Sequence, residues 1–445
     1  MNGQSHPVIE RLLERARAAG ADAADAWVSE RTSLSASVRL GALEGVEREE
    51  TRAASLRILI GKQQAAASIS DVRPESLDRL AERVAAMARA AAEDPYCGLA
   101  PEERLAQAQP DLALFDPATH APESLEALAR TAEEAGLAIA GVSNSGGASA
   151  DWTTAQTAFG TSSGFRGGYR SSAVGLGLSL IAERDGAKER DYETAYARWA
   201  TDLADPAAIG RIAGERTIAR LGARKIDSTT APVIFDNRVA SRLIAAFAGA
   251  ISGAAVARGT SFLKDKMGAQ VFARGVSIVD DPATPRGWGS HPFDGEGVAG
   301  ARRAVIEDGV LTGWLLNSAA ARQLGLETTG NATPGHGSAP GMGPANLTLL
   351  PGERDLEGLM SDAGAGLVVR EMFSPSYNPN TGDYSVGVSG FWFEGGARAF
   401  PVNEVTVAGN LNDIFARLIP GSDLSHRSAV DAPSILVDRL AIAGR

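Results

Sequence analysis

The amino-acid sequence predicts an α+β fold of two domains, with a mixed α/β N-terminal domain in residues 1–225 and a β-rich C-terminal domain in residues 226–445. The chain of 445 residues is too long for one typical hydrophobic core. Its 50 glycines indicate many tight turns between strands. Amphipathic helical patterns are concentrated before residue 225, whereas short strands separated by Gly, Pro and Asn dominate after it.

The first elements are predicted to be a helix and a meander of antiparallel strands. Val8, Leu12 and Ala16 lie on one helical face, and Gly20 ends that helix. Between residues 25 and 71, short apolar runs interrupted by glycines are typical of strands.

A second helix is predicted to open at Pro74, because Leu77, Leu80, Val84 and Met87 follow at spacings of three and four. The proline-containing stretch that comes next shows little periodicity and is predicted to be an extended connection.

The rest of the first domain should contain two more helices and several glycine-rich strands. Helices are predicted over residues 122–135 and 205–221. A strand over residues 137–142 should lead into a turn at Asn144-Ser145-Gly146-Gly147. A further turn is expected at residues 185–186.

The domain boundary is predicted in the polar stretch 225–231. The second domain should open with a strand over residues 233–235 and continue with a helix of small residues over 238–257. Beyond that helix, we expect mostly short strands.

Charge and cysteine content exclude several classes of protein. The formal net charge is -11 and the sequence pI is about 5.1, so a general attraction for nucleic acid or an anionic membrane is not expected. The single Cys97 excludes a disulfide framework within the chain. Neither a secretory signal nor an apolar run of about 18 residues is found, and the expected compartment is the cytoplasm.

Common catalytic and metal-binding patterns are absent or weak. The sequence contains neither an HExxH nor a CxxC motif. Its histidines are His6, His120, His291, His336 and His426. Gly160 to Gly164 fits GxSxG, but no helical pattern follows, which favours a turn between strands. Ser261 and Lys264 fit SxxK without companion motifs, which favours a packing segment.

Two loop features could be functional or merely structural. His336 lies in a Gly- and Pro-rich run, where it could border a cleft or be a solvated loop residue. Asp280-Asp281 and Asp294-Gly295-Glu296 could bind a cation, although such residues more often form turns by bonding their own backbone.

A series of short blocks is distinctive in its order along the chain. The blocks include Ser261-Phe262-Leu263, Ser277 to Pro282, Asp294 to Gly297, Ile306 to Leu311, Gly330-Asn331-Ala332, Thr381 to Ser385, Gly390 to Glu394 and Thr406 to Leu411. Taken in order, these blocks resemble the TldD/PmbA family, also called the modulator of DNA gyrase family, and within it the PmbA/TldE branch. The similarity covers nearly the whole chain and is densest after residue 230.

The resemblance implies a two-domain peptidase fold in which TldD members carry HExxxH on a helix of the second domain and a further cysteine ligand near the C-terminus. That set supplies a metal and a general base for peptide hydrolysis. The matching helix here, residues 241–257, contains neither His nor Glu, and Cys97 lies in the first domain. We therefore expect no catalytic residue, no metal ligand and no cofactor in this chain, and zinc in a TldD-like partner.

The leading hypothesis is a PmbA/TldE-like subunit of a TldD/TldE-type metallopeptidase that acts on unfolded or leader peptides. Extended peptides bind by adding to a sheet edge, which suits a β-rich second domain. The resemblance implies pairing with a TldD-like chain through the second domains, and a homodimer when the chain is isolated. The alternatives are an autonomous hydrolase with a non-standard site and a non-enzymatic binding or regulatory protein.

Four residues are candidate substrate contacts: Asn331, His336, Asn346 and Asp383. An asparagine amide can bond a peptide backbone, although asparagine is equally a turn former.

Overall fold

The computed structural model describes residues 6–445 and divides its strands between an N-terminal and a C-terminal half. The elements of the N-terminal half are α1 (Pro7–Ala18), β1 (Ala23–Arg39), β2 (Ala42–Ile60), β3 (Gln63–Ile69), α2 (Pro74–Ala90), α3 (Pro122–Leu137), β4 (Val142–Thr161), β5 (Arg166–Arg184), β6 (Ala187–Ala197) and α4 (Pro206–Ala219).

One six-stranded antiparallel sheet, in the order β3-β2-β1-β4-β5-β6, organises the N-terminal half. Helices α1 and α2 form one hydrophobic cluster with β1 and β2, and α3 and α4 form a second with β4 and β5. The last two helices cross so closely that a Cβ at Gly210 would lie 2.1 Å from the carbonyl oxygen of Ala132, so only glycine fits there.

The C-terminal half contains more and shorter elements. They are β7 (Thr229–Phe235), α5 (Asn237–Ala250), α6 (Gly253–Ala257), β8 (Ile278–Asp280), β9 (Arg303–Glu307), β10 (Val310–Leu311), α7 (Ser318–Leu324), β11 (Ala332–Thr333), β12 (Gly341–Met342), β13 (Leu347–Leu349), α8 (Leu356–Ala363), β14 (Ala365–Tyr377), β15 (Asp383–Glu394), β16 (Ala397–Asn410), α9 (Leu411–Arg417), β17 (Leu418–Pro420), β18 (Val430–Asp431) and β19 (Ile435–Ala443).

A closed sheet and a smaller open sheet build the C-terminal half. Strands β16, β15, β14, β7 and β19 pair in that order, and β16 also pairs with β19, so the sheet closes on itself. The smaller sheet has the order β10-β9-β8-β13-β18. Helix α5 and the closed sheet belong to one large hydrophobic core, and many residues of that core are fully buried.

The fold class is confirmed, since helices and strands are mixed in the N-terminal half and strands dominate the C-terminal half. The main sheets do not share strands across residue 225, and the division into domains at that residue stays a prediction. In residues 6–445, no helix is both long and apolar enough to cross a membrane.

Two local predictions in the N-terminal half are wrong. Helix α3 continues to Leu137, so no strand occupies residues 137–141. The segment Asn144-Ser145-Gly146-Gly147 is not a turn but part of β4, where the register with β5 shifts twice. Gly147 has φ +106°, and the small residues accommodate the irregular pairing that a bulged strand requires.

The predicted faces and limits of two helices also need correction. In α2, Leu77, Leu80 and Val84 are buried, but Met87 is 44% exposed, because Ala88 takes the next inward position. The helix expected over residues 238–257 is interrupted between α5 and α6, where Ser252 bridges to Leu315.

Candidate functional site

The centre of α5 is an aromatic core in this chain. Phe247 is fully buried and meets Phe272 and Phe415 edge-to-face, with ring centroids 5.1 and 5.9 Å away. The sequence from Asn237 to Ala250 contains no His, Cys, Asp or Glu. Because those four residue types are the usual zinc ligands in proteins, the helix does not fit a zinc site.

A cavity lies where the two halves meet, and we call it the His291 cavity. Its volume of about 510 Å³ includes space open to solvent. The N-terminal half contributes Trp27 and Tyr169, and the C-terminal half contributes His291, Asp294 and Asn331, among others. Its walls therefore combine aromatic rings with a few polar groups, which is typical of small-molecule and peptide sites.

His291 lines the cavity with a buried polar atom that has no protein partner among the described residues. Its Nδ1 lies 2.7 Å from the carbonyl oxygen of Gly289, and its buried Nε2 has no hydrogen-bond partner in residues 6–445. Burial lowers the pKa of His291, which favours the neutral ring. With Nδ1 donating to the carbonyl, Nε2 can accept a hydrogen bond from a bound group.

Asn331 is held in a buried polar chain on the cavity wall. Its Nδ2 donates to Asp280 Oδ2 at 2.7 Å, and its Oδ1 accepts a hydrogen bond from Arg303 Nη2 at 2.7 Å. Burial raises the pKa of Asp280, whereas the hydrogen bond from Asn331 and the charge of Arg303 lower it. Both ends of the amide are thus engaged with protein groups.

Asn346 fixes the loop that carries His291. Its Oδ1 accepts a hydrogen bond from the Gly289 N–H at 2.9 Å, and its Nδ2 donates to Ser290 Oγ at 2.7 Å and to the Asp281 carbonyl oxygen at 2.6 Å. The structure therefore brings Asn331 and Asn346 to the same loop system, where both position other groups.

Neither His336 nor Asp383 lines this cavity. Pro334 lines the cavity, and His336 follows it in an exposed loop. Asp383 is exposed at the start of β15 and accepts hydrogen bonds from Thr381 and Asn410, which lower its pKa. The role of all four residues in substrate binding stays a prediction.

Asp294 and Glu296 form a buried acidic pair beside the cavity. Asp294 accepts three backbone N–H bonds, from Glu296, Val298 and Ala332. Glu296 Oε2 accepts hydrogen bonds from both N–H and Oγ of Ser318, at 2.8 and 2.7 Å. Burial, followed by repulsion from Glu296, raises the pKa of Asp294 to about 7.

The Asp294 carboxyl predicts a specific pH dependence of stability. An aspartate in the unfolded chain loses its proton near pH 4, whereas in the folded protein Asp294 keeps it to about pH 7. Between these values the folded state binds more protons, so stability falls as the pH rises. We expect the free energy of unfolding to drop by roughly 1–3 kcal/mol from pH 5 to pH 7 through this group.

Urea denaturation at pH 5 and pH 7 measures this effect. Asp294→Asn should flatten the pH dependence, and Asp438→Asn, at an exposed position, should leave it unchanged. An Asp294→Asn protein with the wild-type pH dependence would contradict the prediction.

The two serine motifs are structural. Ser162 lies in the turn between β4 and β5 and accepts a hydrogen bond from the Ala24 N–H, as expected for a turn. Ser261 is buried and donates to the Ala250 carbonyl oxygen at 2.6 Å, whereas Lys264 Nζ donates to the Gly259 carbonyl oxygen. The SxxK serine and lysine are therefore not paired with each other.

The acidic loops act as turn formers. Asp281 accepts a hydrogen bond from the Ala283 N–H, and Asp294 accepts one from the Glu296 N–H, each two residues on. Within residues 6–445, no group of three or more His, Cys, Asp or Glu side chains is arranged to hold a metal ion.

Sequence reasoning missed His291, Trp27 and Tyr169 as members of one site. His291 stands in no motif, and the two aromatic residues lie far from it in the chain. The sequence feature that could have indicated His291 is its place three residues before Asp294, next to the acidic segment Asp294-Gly295-Glu296.

Three family models cover most of the chain. The PmbA/TldA metallopeptidase domain 1 matches residues 24–88, the central domain matches residues 115–221, and the C-terminal domain matches residues 228–444.

Individual proteins agree with these matches over nearly full length. Metalloprotease PmbA of Escherichia coli O157:H7 is 37% identical over 95% of this chain and 93% of its own length. TldE from Thermococcus kodakarensis has the same fold, with a TM-score of 0.85 and 20% identity over 98% of this chain and 99% of its own. A crystal structure from Bacteroides thetaiotaomicron, titled as a candidate modulator of DNA gyrase, superposes with a TM-score of 0.90 and 24% identity over 98% of both chains.

Proposed function

The chain belongs to the PmbA/TldD family of metallopeptidases, and we propose that it is the PmbA/TldE-like subunit of a two-component peptidase whose TldD-like partner holds the zinc. In this assembly the chain binds and positions unfolded or leader peptides and does not itself hydrolyse them. The Escherichia coli relative is named a metalloprotease, an activity that on this proposal belongs to the assembly.

The composition and packing of α5 carry the proposal. Where TldD members are expected to place two histidines and a glutamate, this helix presents Ala245, Ala246, Phe247 and Gly249. Phe247, in the middle of this helix, is a buried ring that packs on two other rings. The middle of the helix belongs to the hydrophobic core, which supports a structural role for the helix.

The closed sheet bears on where an extended peptide binds. Strand addition needs an unpaired edge, and β16 pairs with β19 only over Thr406 to Ala408, while β14 pairs with β7 only over Leu367 to Val369. The edge strands β10 and β18 of the smaller sheet span two residues each. Addition of a peptide to the unpaired parts of β14 or β16 therefore stays a prediction, and we propose the His291 cavity as a further place of peptide contact.

In this proposal the candidate residues have different tasks. Asn331 and Asn346 hold the wall and the loop of the His291 cavity, because their amides are already bonded to protein. His291 Nε2 accepts a hydrogen bond from a peptide N–H. His336 and Asp383 remain proposed outer contacts, since both are exposed.

Metal content and activity test the proposal together. We expect the purified, dialysed chain to contain no stoichiometric zinc and to leave unfolded casein intact, because α5 supplies no ligand. Co-expression with a TldD-like chain from the same organism should give a mixed assembly that contains zinc and cleaves casein. Elemental analysis measures the zinc content, light scattering measures assembly, and a casein digest measures cleavage. Light scattering of the chain alone should show a homodimer.

A matched control locates the active centre. A partner in which both HExxxH histidines are replaced by alanine should still assemble but lose cleavage. One zinc per chain in the isolated protein, or chelator-sensitive cleavage by it, would contradict the proposal. A chain that ignores the partner and has no activity would favour a separate binding or regulatory role.

A further inference from the structure

A second cavity lies between α4 of the N-terminal half and strands β14–β16 of the C-terminal half. It encloses about 770 Å³ of space open to solvent, and we call it the arginine pocket. Four guanidinium groups line it, those of Arg216, Arg220, Arg370 and Arg398. The lining also includes the carboxylates of Asp191 and Glu215.

Three of these arginines have carboxylate partners. Arg220 Nη1 lies 2.7 Å from Glu371 Oε2, and Arg216 lies against Glu193. Arg370 Nε lies 3.1 Å from Asp236 Oδ2, but the two groups are not aligned as a hydrogen bond.

Arg398 differs from the other three. No ion pair or hydrogen bond of its guanidinium is found in residues 6–445. The group instead stacks over the Phe391 ring at 4.1 Å from the centroid, and the same ring also faces Arg370 at 5.4 Å. Two cations thus share one aromatic platform, and one of them has all its donors available.

The guanidinium groups of the pocket repel one another and have lost part of their solvation. Burial, followed by repulsion from Arg238 and Arg370, lowers the pKa of Arg216 to about 10. Burial and repulsion from Arg370 also lower the pKa of Arg398. A bound anion would relieve both the lost solvation and the mutual repulsion.

We propose that the arginine pocket binds a compact oxyanion, a carboxylate or phosphate group, on the guanidinium groups of Arg398 and Arg370. The planar fork of a guanidinium matches two oxygens of either group. Ile212, Phe391 and Val402 add an apolar wall, which accommodates a ligand that carries a hydrocarbon part beside its charge. This site is separate from the His291 cavity and does not depend on the proposed peptidase role.

The position of the pocket gives binding a measurable consequence. Residues of α4 and of β14–β16 line it together, so an occupant contacts both halves of the chain. A ligand that binds only the folded protein raises its stability by mass action. We therefore expect the anion to raise the melting temperature of the protein.

Calorimetric titration and thermal unfolding at constant ionic strength test the proposal on the full chain. The probes are inorganic phosphate, N-acetyl-leucine and the uncharged N-acetyl-leucinamide. We expect at least one anion to bind and to raise the melting temperature, and the amide to do neither. Binding of phosphate alone would assign the site to phosphate groups, and binding of N-acetyl-leucine alone would assign it to carboxylates.

Variants connect the binding to the pocket. Arg398→Gln should weaken anion binding at least about tenfold. The affinity of Arg398→Lys should lie between those of Arg398→Gln and the wild type, because lysine keeps the charge but lacks the planar guanidinium group. Arg211→Gln, on the exposed part of α4, serves as the matched control and should bind as the wild type does. Arg398 is exposed, so both of its variants should fold, as circular dichroism would verify.

Two results would overturn the proposal. The first is that neither anion binds at millimolar concentration. The second is that Arg398→Gln and Arg211→Gln change binding equally, since the effect would then reflect net charge alone.

Discussion

Phe247→Ala is expected to lower the free energy of unfolding by about 3–5 kcal/mol, the range for removing a buried phenylalanine. The ring is fully buried, and it packs edge-to-face against Phe272 and Phe415. Its loss would remove apolar burial, leave a cavity and break two favourable aromatic contacts. Urea denaturation followed by circular dichroism measures the change.

Phe373→Ala is the matched control, because its side chain on β14 is 49% exposed. Removing this exposed ring should change the free energy of unfolding only a little. A loss below about 1 kcal/mol for Phe247→Ala would mean that α5 is not anchored by this ring, contrary to the structural role that we assign to the helix.

Asp25→Ala should cost a similar amount, about 3–5 kcal/mol, for an electrostatic reason. Arg57 Nε donates to Asp25 Oδ2 at 2.8 Å, and both side chains are less than 8% exposed. Removing the carboxylate would leave a buried guanidinium whose one remaining side-chain hydrogen-bond partner in residues 6–445 is Gln64. Urea denaturation again provides the measurement.

Two further variants distinguish this loss from simple damage to packing. Asp25→Ala combined with Arg57→Met removes both charges and should recover much of the stability, because a buried pair can be replaced by apolar groups at little cost. Asp438→Ala breaks the exposed pair with Arg417 and should change little. If the double variant were no more stable than Asp25→Ala, the unpaired charge would not be the cause.

The sequence pattern predicted the elements whose signal is local. Leu77, Leu80 and Val84 mark a buried helical face because helical spacing alone brings them together. The prediction of a turn at Asn144 to Gly147 is wrong because the small residues that form turns also accommodate β-bulges. Pairing with β5 determines that this segment is a bulged strand and not a turn. Local composition contains no information about that distant partner.

The candidate site was harder to predict, because it is assembled across the chain. Trp27 and His291 line one cavity although most of the N-terminal half separates them in sequence. Asn331 was singled out through the family resemblance, but its task as a link between Asp280 and Arg303 depends on tertiary pairing. The expectation that α5 holds no metal ligand rests on residue identity alone and stays a prediction.

The closed sheet of the C-terminal half has a consequence for the order of folding during synthesis. Strand β7, residues 229–235, lies between β14 and β19, and β19 comprises residues 435–443. The sheet cannot close on the ribosome until those distant residues emerge, whereas the sheet of the N-terminal half is complete once residue 197 has emerged. The nascent chain should therefore carry a folded N-terminal half while the core around α5 is still open and in need of protection from aggregation.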